Sequence, residues 1–299
     1  MLLNVFSEVM FPLILLSGLG AVVGRRARLP VSSLSSLVFN LFIPALIFDT
    51  LVRVDVDVDL VLPIVGVVIF VSIGSGLLGI GYALIRGLSR SHVAAVALCS
   101  AVANLGNMGL PVSRLAFGTN GLAIAVVAFI TGSVLSNTVG IVLASLSGGR
   151  LRDALISPLK VPALWAVPPA LVVRGRDLAP WLSESLGMLS DAAVPLMLVV
   201  LGLQATSQRP TRSNFSEALG PVSLRLLAGP LLALAATSTL GLIGTTQQTL
   251  VVLGGMPAGV VVTIIATRYN AQPDLAARTV MISTVASFFT LTLLITSLR

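Results

Sequence analysis

Residues 103–111 read Ala103-Asn104-Leu105-Gly106-Asn107-Met108-Gly109-Leu110-Pro111, inside an apolar run that spans 92–117. Two amides, two glycines and a proline stand where a hydrophobic helix needs an uninterrupted backbone. Proline removes a backbone donor and clashes with the preceding turn, and glycine relaxes the chain, so the pattern predicts a helix broken near Asn104. A second stretch, Gly254-Gly255-Met256-Pro257-Ala258-Gly259, interrupts the run over 247–269 in the same way. Both breaks fall near the middle of their runs. An opened backbone in hydrocarbon is costly, so such breaks occur where protein or a watery cavity satisfies the freed groups.

The composition around these stretches sets the environment. Of 299 residues, 56% are apolar and 10% are charged, against about a quarter charged in a soluble domain. A single water-soluble core, a disordered chain and a disulfide scaffold are excluded. Ten apolar runs are read at 9–24, 31–52, 60–85, 92–117, 120–146, 158–174, 181–206, 215–243, 247–269 and 274–298. Most approach or exceed the roughly 20 residues that cross a bilayer as helix, whereas outer-membrane strands are about ten residues long and alternate. The expected fold is an all-α polytopic membrane protein.

The net charge of +7 points to topology rather than to nucleic acid, because the bases stand singly or in short groups between apolar runs. Twelve Lys and Arg fall in one set of alternate loops and five in the other. The richer side faces the cytoplasm. Both termini are then extracytoplasmic, Asp55, Asp57 and Asp59 form an external acidic loop, and Arg225 snorkels from the cytoplasmic start of the eighth span. Arg25, Arg26 and Arg28 follow the first run instead of preceding it, unlike a cleavable signal. A multi-pass protein of the inner or plasma membrane is expected, with the lipid bilayer as partner and no nucleic acid.

The chain also repeats itself. Pro12 and Pro30 recur 150 positions on as Pro162 and Pro180, and Asn40-x-x-x-Pro44 recurs 151 positions on as Asp191-x-x-x-Pro195. Each half holds five spans, an odd number, so the second half enters the membrane inverted. The expected organisation is a first five-helix repeat over 1–146, a cytoplasmic linker over 147–157 and a second, inverted repeat over 158–299. Paired interruptions at matching positions of inverted halves are the sequence pointer to a transporter's binding site.

Each broken helix would present a half-helix N-terminus, with free N–H groups and partial positive charge, at mid-depth. Asn104 and Asn107 add amide donors without fixed charge. The chemistry suits an anion, most simply a carboxylate. Glycine and proline also kink transmembrane helices with no ligand involved, but two interruptions in register across a repeat favour a site.

The quoted motif, together with Pro44-Ala45-Leu46-Ile47-Phe48 and Arg268-Tyr269-Asn270-Ala271-Gln272-Pro273-Asp274, resembles the auxin efflux carrier family, which includes bacterial malonate and malate permeases and the plant PIN carriers. The resemblance runs over the whole chain. It implies two crossing broken helices (spans four and nine), a scaffold and a mobile transport domain moving as an elevator, and a small organic anion held where the helices cross. The expected substrate-binding residues are Asn104, Gly106, Asn107, Gly255, Met256, Pro257, Ala258 and Gly259. Plant members carry a proline before the crossing asparagine. Ala103 stands there instead, which implies a less sharply broken fourth helix.

Other polar residues carry two readings each. Asp191 is a proton-coupling carboxylate or a helix cap at the membrane interface. Asn137 lines the site or joins helices by hydrogen bonding. Asp49 is interfacial. Gly74-Ser75-Gly76-Leu77-Leu78-Gly79 fits a dinucleotide pattern but follows no soluble strand, so its glycines are expected to permit close helix packing. Asn214-Phe215-Ser216 is a glycosylation sequon on the cytoplasmic side. Cys99 and His92 are the only residues of their kinds, so no metal site, catalytic cluster or cofactor is expected and the protein is not an enzyme. The alternative function is a sodium- or proton-coupled carrier of related crossing-helix fold. Substrate identity, direction, coupling ion and oligomeric state, a homodimer included, are not decided by the sequence.

Overall fold

The computed structural model describes residues 2–27, 30–54, 57–147, 157–207 and 215–299. Regular structure among them is helical throughout: α1 (Leu2–Ala27), α2 (Val31–Arg53), α3 (Val58–Ile85), α4 (Arg90–Ala101), α5 (Leu105–Ser145), α6 (Pro162–Val173), α7 (Pro180–Ser207), α8 (Phe215–Thr239), α9 (Gly244–Gly254), α10 (Val261–Arg268) and α11 (Pro273–Leu298). Seven of these, α1, α2, α3, α5, α7, α8 and α11, are long and apolar enough to cross a bilayer. Large apolar side chains face outward on them, with Leu62 78% exposed, Ile85 88% and Phe289 72%. Water would not tolerate such a surface; lipid does. The protein is an all-α polytopic membrane protein.

The helices bend at prolines in a regular way. Phe11, Ile43, Leu110 and Gly229 each precede a proline, and each donates its N–H five residues back, to Phe6, Val38, Leu105 and Leu224. A proline ring clashes with the carbonyl four residues before it. One extra residue in the preceding turn moves that carbonyl aside, at the cost of a single π-helical turn. Pro195 of α7 lies inside a helix with no such widened turn.

Helix packing relies on glycine where backbones meet. A Cβ on Gly202 of α7 would lie 1.8 Å from the Ser17 carbonyl oxygen of α1, and one on Gly20 would lie 2.2 Å from the Val199 carbonyl oxygen. Small residues on both helices therefore permit direct backbone approach, the usual way that helices associate in lipid. Gly202→Val is expected to lower stability by about 1–3 kcal/mol through overpacking, visible as a lower melting temperature in detergent. An unchanged melt would show that α1 and α7 need not touch. The Gly74–Gly79 stretch behaves likewise: a Cβ on Gly79 would come within 3.0 Å of Ala97 Cα in α4.

Several expectations are corrected. The sixth run, read over 158–174, forms only a 3₁₀ turn, Ser157–Lys160, and the short α6. Arg225 does not snorkel. It is 1% exposed, ten residues into α8, or about 15 Å along the helix axis. Asp191 does not cap a helix: α7 begins at Pro180, so Asp191 lies well inside it, beyond the N-terminal turn whose N–H groups are free. Arg28, Asp55, residues 148–156 of the linker, Arg209, Arg212 and the sequon residue Asn214 lie outside the described residues.

Candidate functional site

Both predicted interruptions are present, and they are bonded to each other. α4 stops at Ala101 and Val102 is extended, with φ −101° and ψ 107°. The Asn104 N–H donates to the Pro257 carbonyl at 2.8 Å, and the Gly259 N–H donates to the Val102 carbonyl at 2.9 Å. Ala103 and Ala258 thus form a one-residue antiparallel bridge. The Ala258 N–H donates to Ser283 Oγ of α11 at 3.1 Å, and Ser72 Oγ of α3 donates to the Ala101 carbonyl at 3.0 Å. The groups freed by breaking each helix are met by the other helix and its neighbours. The break at Ala103 is complete without the proline that plant members carry.

The carbonyl ends of the two half-helices converge on one side chain. Arg225 Nη1 donates to the Ser100 carbonyl of α4 at 2.8 Å, and Nη2 donates to the Gly254 carbonyl of α9. No carboxylate among the described residues pairs with it. Each helix C-terminus carries about half a negative charge, so the two together offset one guanidinium. Gly229, one turn on, must be glycine: a Cβ there would lie 2.2 Å from the Gly254 oxygen and 2.4 Å from Arg225 Nη2.

The N-terminal ends of the other two half-helices, α5 and α10, face a cavity of about 680 Å³. Asn104, Gly106, Asn107, Asn137 and Gly259 line it. Asn104 and Asn107 are buried, and Asn104 Nδ2 and Asn107 Oδ1 have no hydrogen-bond partner. Asn107 Nδ2 donates to Gln204 Oε1 at 3.1 Å, and Gln204 Nε2 donates to Ser35 Oγ at 3.2 Å. The crossing is thereby tied to α7 and α2. Asn137 lines the cavity and donates to its own helix, to the Ser133 carbonyl at 2.9 Å; no bond joins it to another helix. Lys160 is the one charged residue among the described lining, and no acid accompanies it.

Gly255, Met256, Pro257 and Ala258 are buried and do not line the cavity. They form the back of the crossing, where the Pro257 oxygen and the Ala258 N–H are already taken. Asp191 lies in a different cavity, with Asp49 and Arg114. Sequence reasoning missed Gln204, Ser35, Lys160 and the phenyl rings of Phe39 and Phe129. Those rings flank Gly106, 3.7 and 3.0 Å from where its Cβ would be. Gln204 had a signal of its own, an amide within a long apolar run.

Lipid-facing helices around a polar, half-closed crossing define a protein that passes a solute through the membrane. The chain belongs to the membrane transport protein family, that of the auxin efflux carriers: the family's model matches residues 5–160 and 151–295. An uncharacterized transporter of the archaeon Methanothermobacter thermautotrophicus is 31% identical over 286 residues, 94% of this chain and 93% of that protein. One from Methanocaldococcus jannaschii is 27% identical over 214 residues, 69% of this chain and 68% of that one. Auxin efflux carrier component 3a of rice is 31% identical over 99 residues, 33% of this chain and 16% of the plant protein. The protein is a multi-pass membrane transporter, not an enzyme.

Proposed function

We propose that the protein is a secondary transporter for a small organic anion, a mono- or dicarboxylate, bound where the two broken helices cross. The observation that carries this is the buried, unpartnered Asn104 Nδ2, beside two half-helix N-termini in a cavity whose described lining holds Lys160 and no acid. A carboxylate supplies the missing acceptor and meets the positive ends of α5 and α10. The apolar walls, with Phe39 and Phe129 beside Gly106, suit a ligand with an apolar body behind its charge. Release needs only that the cavity lose its shape.

The same reading gives the chain ten crossings, with the 3₁₀ turn and the short α6 together as the sixth, in two inverted five-helix repeats, 1–146 and 158–299, joined by the linker 147–157. Support comes from α5, whose 41 residues extend about 60 Å as helix, twice a bilayer core, and whose Gly118 breaks it at φ +66°. Further support comes from the pairs α4 with the start of α5, and α9 with α10, each making one crossing with a gap at mid-depth. The unit carrying the crossing moves as an elevator against α2 and α7 and exposes the site to each side in turn. Charge counts put Lys160 and the large cavity toward the cytoplasm, in the plasma or inner membrane, with both termini outside.

A sodium- or proton-coupled carrier is the second reading, with Asp191 as the coupling carboxylate. Among the described residues no acid lines the crossing cavity, which favours the uncoupled anion site. The test is flux in proteoliposomes with labelled malonate, malate and indole-3-acetate, with and without imposed pH and sodium gradients. Saturable flux of one of them without a gradient is expected. Flux that appears only under a gradient and vanishes in Asp191→Asn would move the coupled reading to the front.

A further inference from the structure

A second cavity, of about 410 Å³, lies between α2, α5 and α7, and it carries charges of both signs: Asp49, Arg53, Arg114 and Asp191 line it. Arg53 is already engaged, with Nε on Asp49 Oδ1 at 2.5 Å and Nη2 on the Ser183 carbonyl and hydroxyl. Arg114 and Asp191 make no hydrogen bond or ion pair among the described residues.

The two cavities occupy opposite ends of one seam. On α2 the first is lined by Ser32 and Ser35 and the second by Asp49 and Thr50; on α7 the first takes Gln204 and the second Ser190 and Asp191; on α5 the first takes Asn107 and the second Arg114. Fifteen residues of α2, from Ser35 to Thr50, correspond to about 22 Å. Between them the same three helices pack tightly: Ile43, Ile47, Met108, Leu110, Met197 and Leu198 belong to one apolar cluster and are at most 1% exposed. A seam open at both ends and shut in the middle is one pathway caught closed.

Resting on the function proposed above, we infer that the charged cavity is the second mouth of this pathway and that Arg114 receives the anion there. Arg114 sits on the helix that starts at the crossing, ten residues from Asn104, so it stays in line with the binding site when that helix moves. A guanidinium presents a planar fork of donors that matches a carboxylate. Asp191, across the seam on α7, competes with the incoming anion for Arg114 and keeps this mouth weak enough to let go.

Two measurements test this. Ser32→Cys and Thr119→Cys, each in a Cys99→Ala background, are treated with a membrane-impermeant maleimide on right-side-out and inside-out membrane vesicles. Each cysteine is expected to label from one face, and the two from opposite faces. Uptake of labelled malonate, malate and indole-3-acetate is then followed in both vesicle types. Arg114→Gln is expected to raise KM about tenfold from the face that labels Thr119→Cys, the loss of one charge-assisted hydrogen bond, with less than a twofold change from the other face. Asp191→Asn is expected to lower KM on that same face. Labelling of both cysteines from one face, or equal KM changes on both, overturns the inference. Opposite-face labelling without carboxylate flux in the parent instead sinks the anion reading and the role of Arg114, and keeps the second mouth.

Discussion

Arg225→Ala lowers the melting temperature of the detergent-solubilised protein by about 6 °C or more. The substitution removes two charge-assisted bonds to backbone carbonyls, worth about 1.5–3 kcal/mol each, and a domain of 150–250 residues loses roughly 2–4 °C per kcal/mol. The Ser100 and Gly254 carbonyls that it caps end two half-helices inside the membrane, where no water replaces the lost donor. Arg225→Lys keeps the charge but offers an ammonium in place of a fork, so it is expected to recover less than half of the loss. A melt within two degrees of the parent for Arg225→Ala would show that water, not arginine, caps these ends.

Asn104→Ala is expected to abolish most transport while leaving the fold intact. The two bonds that hold Asn104 in the crossing are made by its backbone, the N–H to Pro257 and the carbonyl from Gly109, and alanine keeps both. Its side-chain nitrogen is buried and unpartnered, so removing it costs the resting protein nothing and relieves an unmet donor. A bound carboxylate loses one charge-assisted bond of about 1.5–3 kcal/mol, a fall of roughly tenfold to a hundredfold in affinity. Transport assays and thermal melts on the same preparation check this. A melt that falls in step with flux would make Asn104 a structural residue.

What the sequence made legible follows from what each residue type can hide. Long uncharged runs announce membrane helices, and Gly, Pro and Asn inside a run announce a break, so the interruptions at Val102–Asn104 and Gly255–Gly259 were readable in advance. That the two broken helices cross was implied only by the family resemblance, and the bonds between them by nothing in the sequence. Arg225 was misread although the start of its helix was read correctly. Its partners are backbone carbonyls, which no pattern of side chains reveals, and a lone arginine in an apolar run looks like one reaching for the interface. The cap reading of Asp191 failed for the related reason that a polar group about two-fifths of the way along a span resembles a cap until its depth is counted. Gln204, Ser35 and Phe129 reach the site across more than one helix, and their convergence exists only in three dimensions.

The central claim is that an organic anion occupies the crossing cavity, and the most direct test is protection of a thiol placed there. Ser133 lines that cavity, and in Ser133→Cys with Cys99→Ala the rate of alkylation reports whether the space is filled. A transported carboxylate is expected to slow alkylation with a half-maximal concentration equal to its transport KM, and its neutral amide is expected to leave the rate unchanged. Equal protection by acid and amide, or none by either, would contradict an anion site at the crossing.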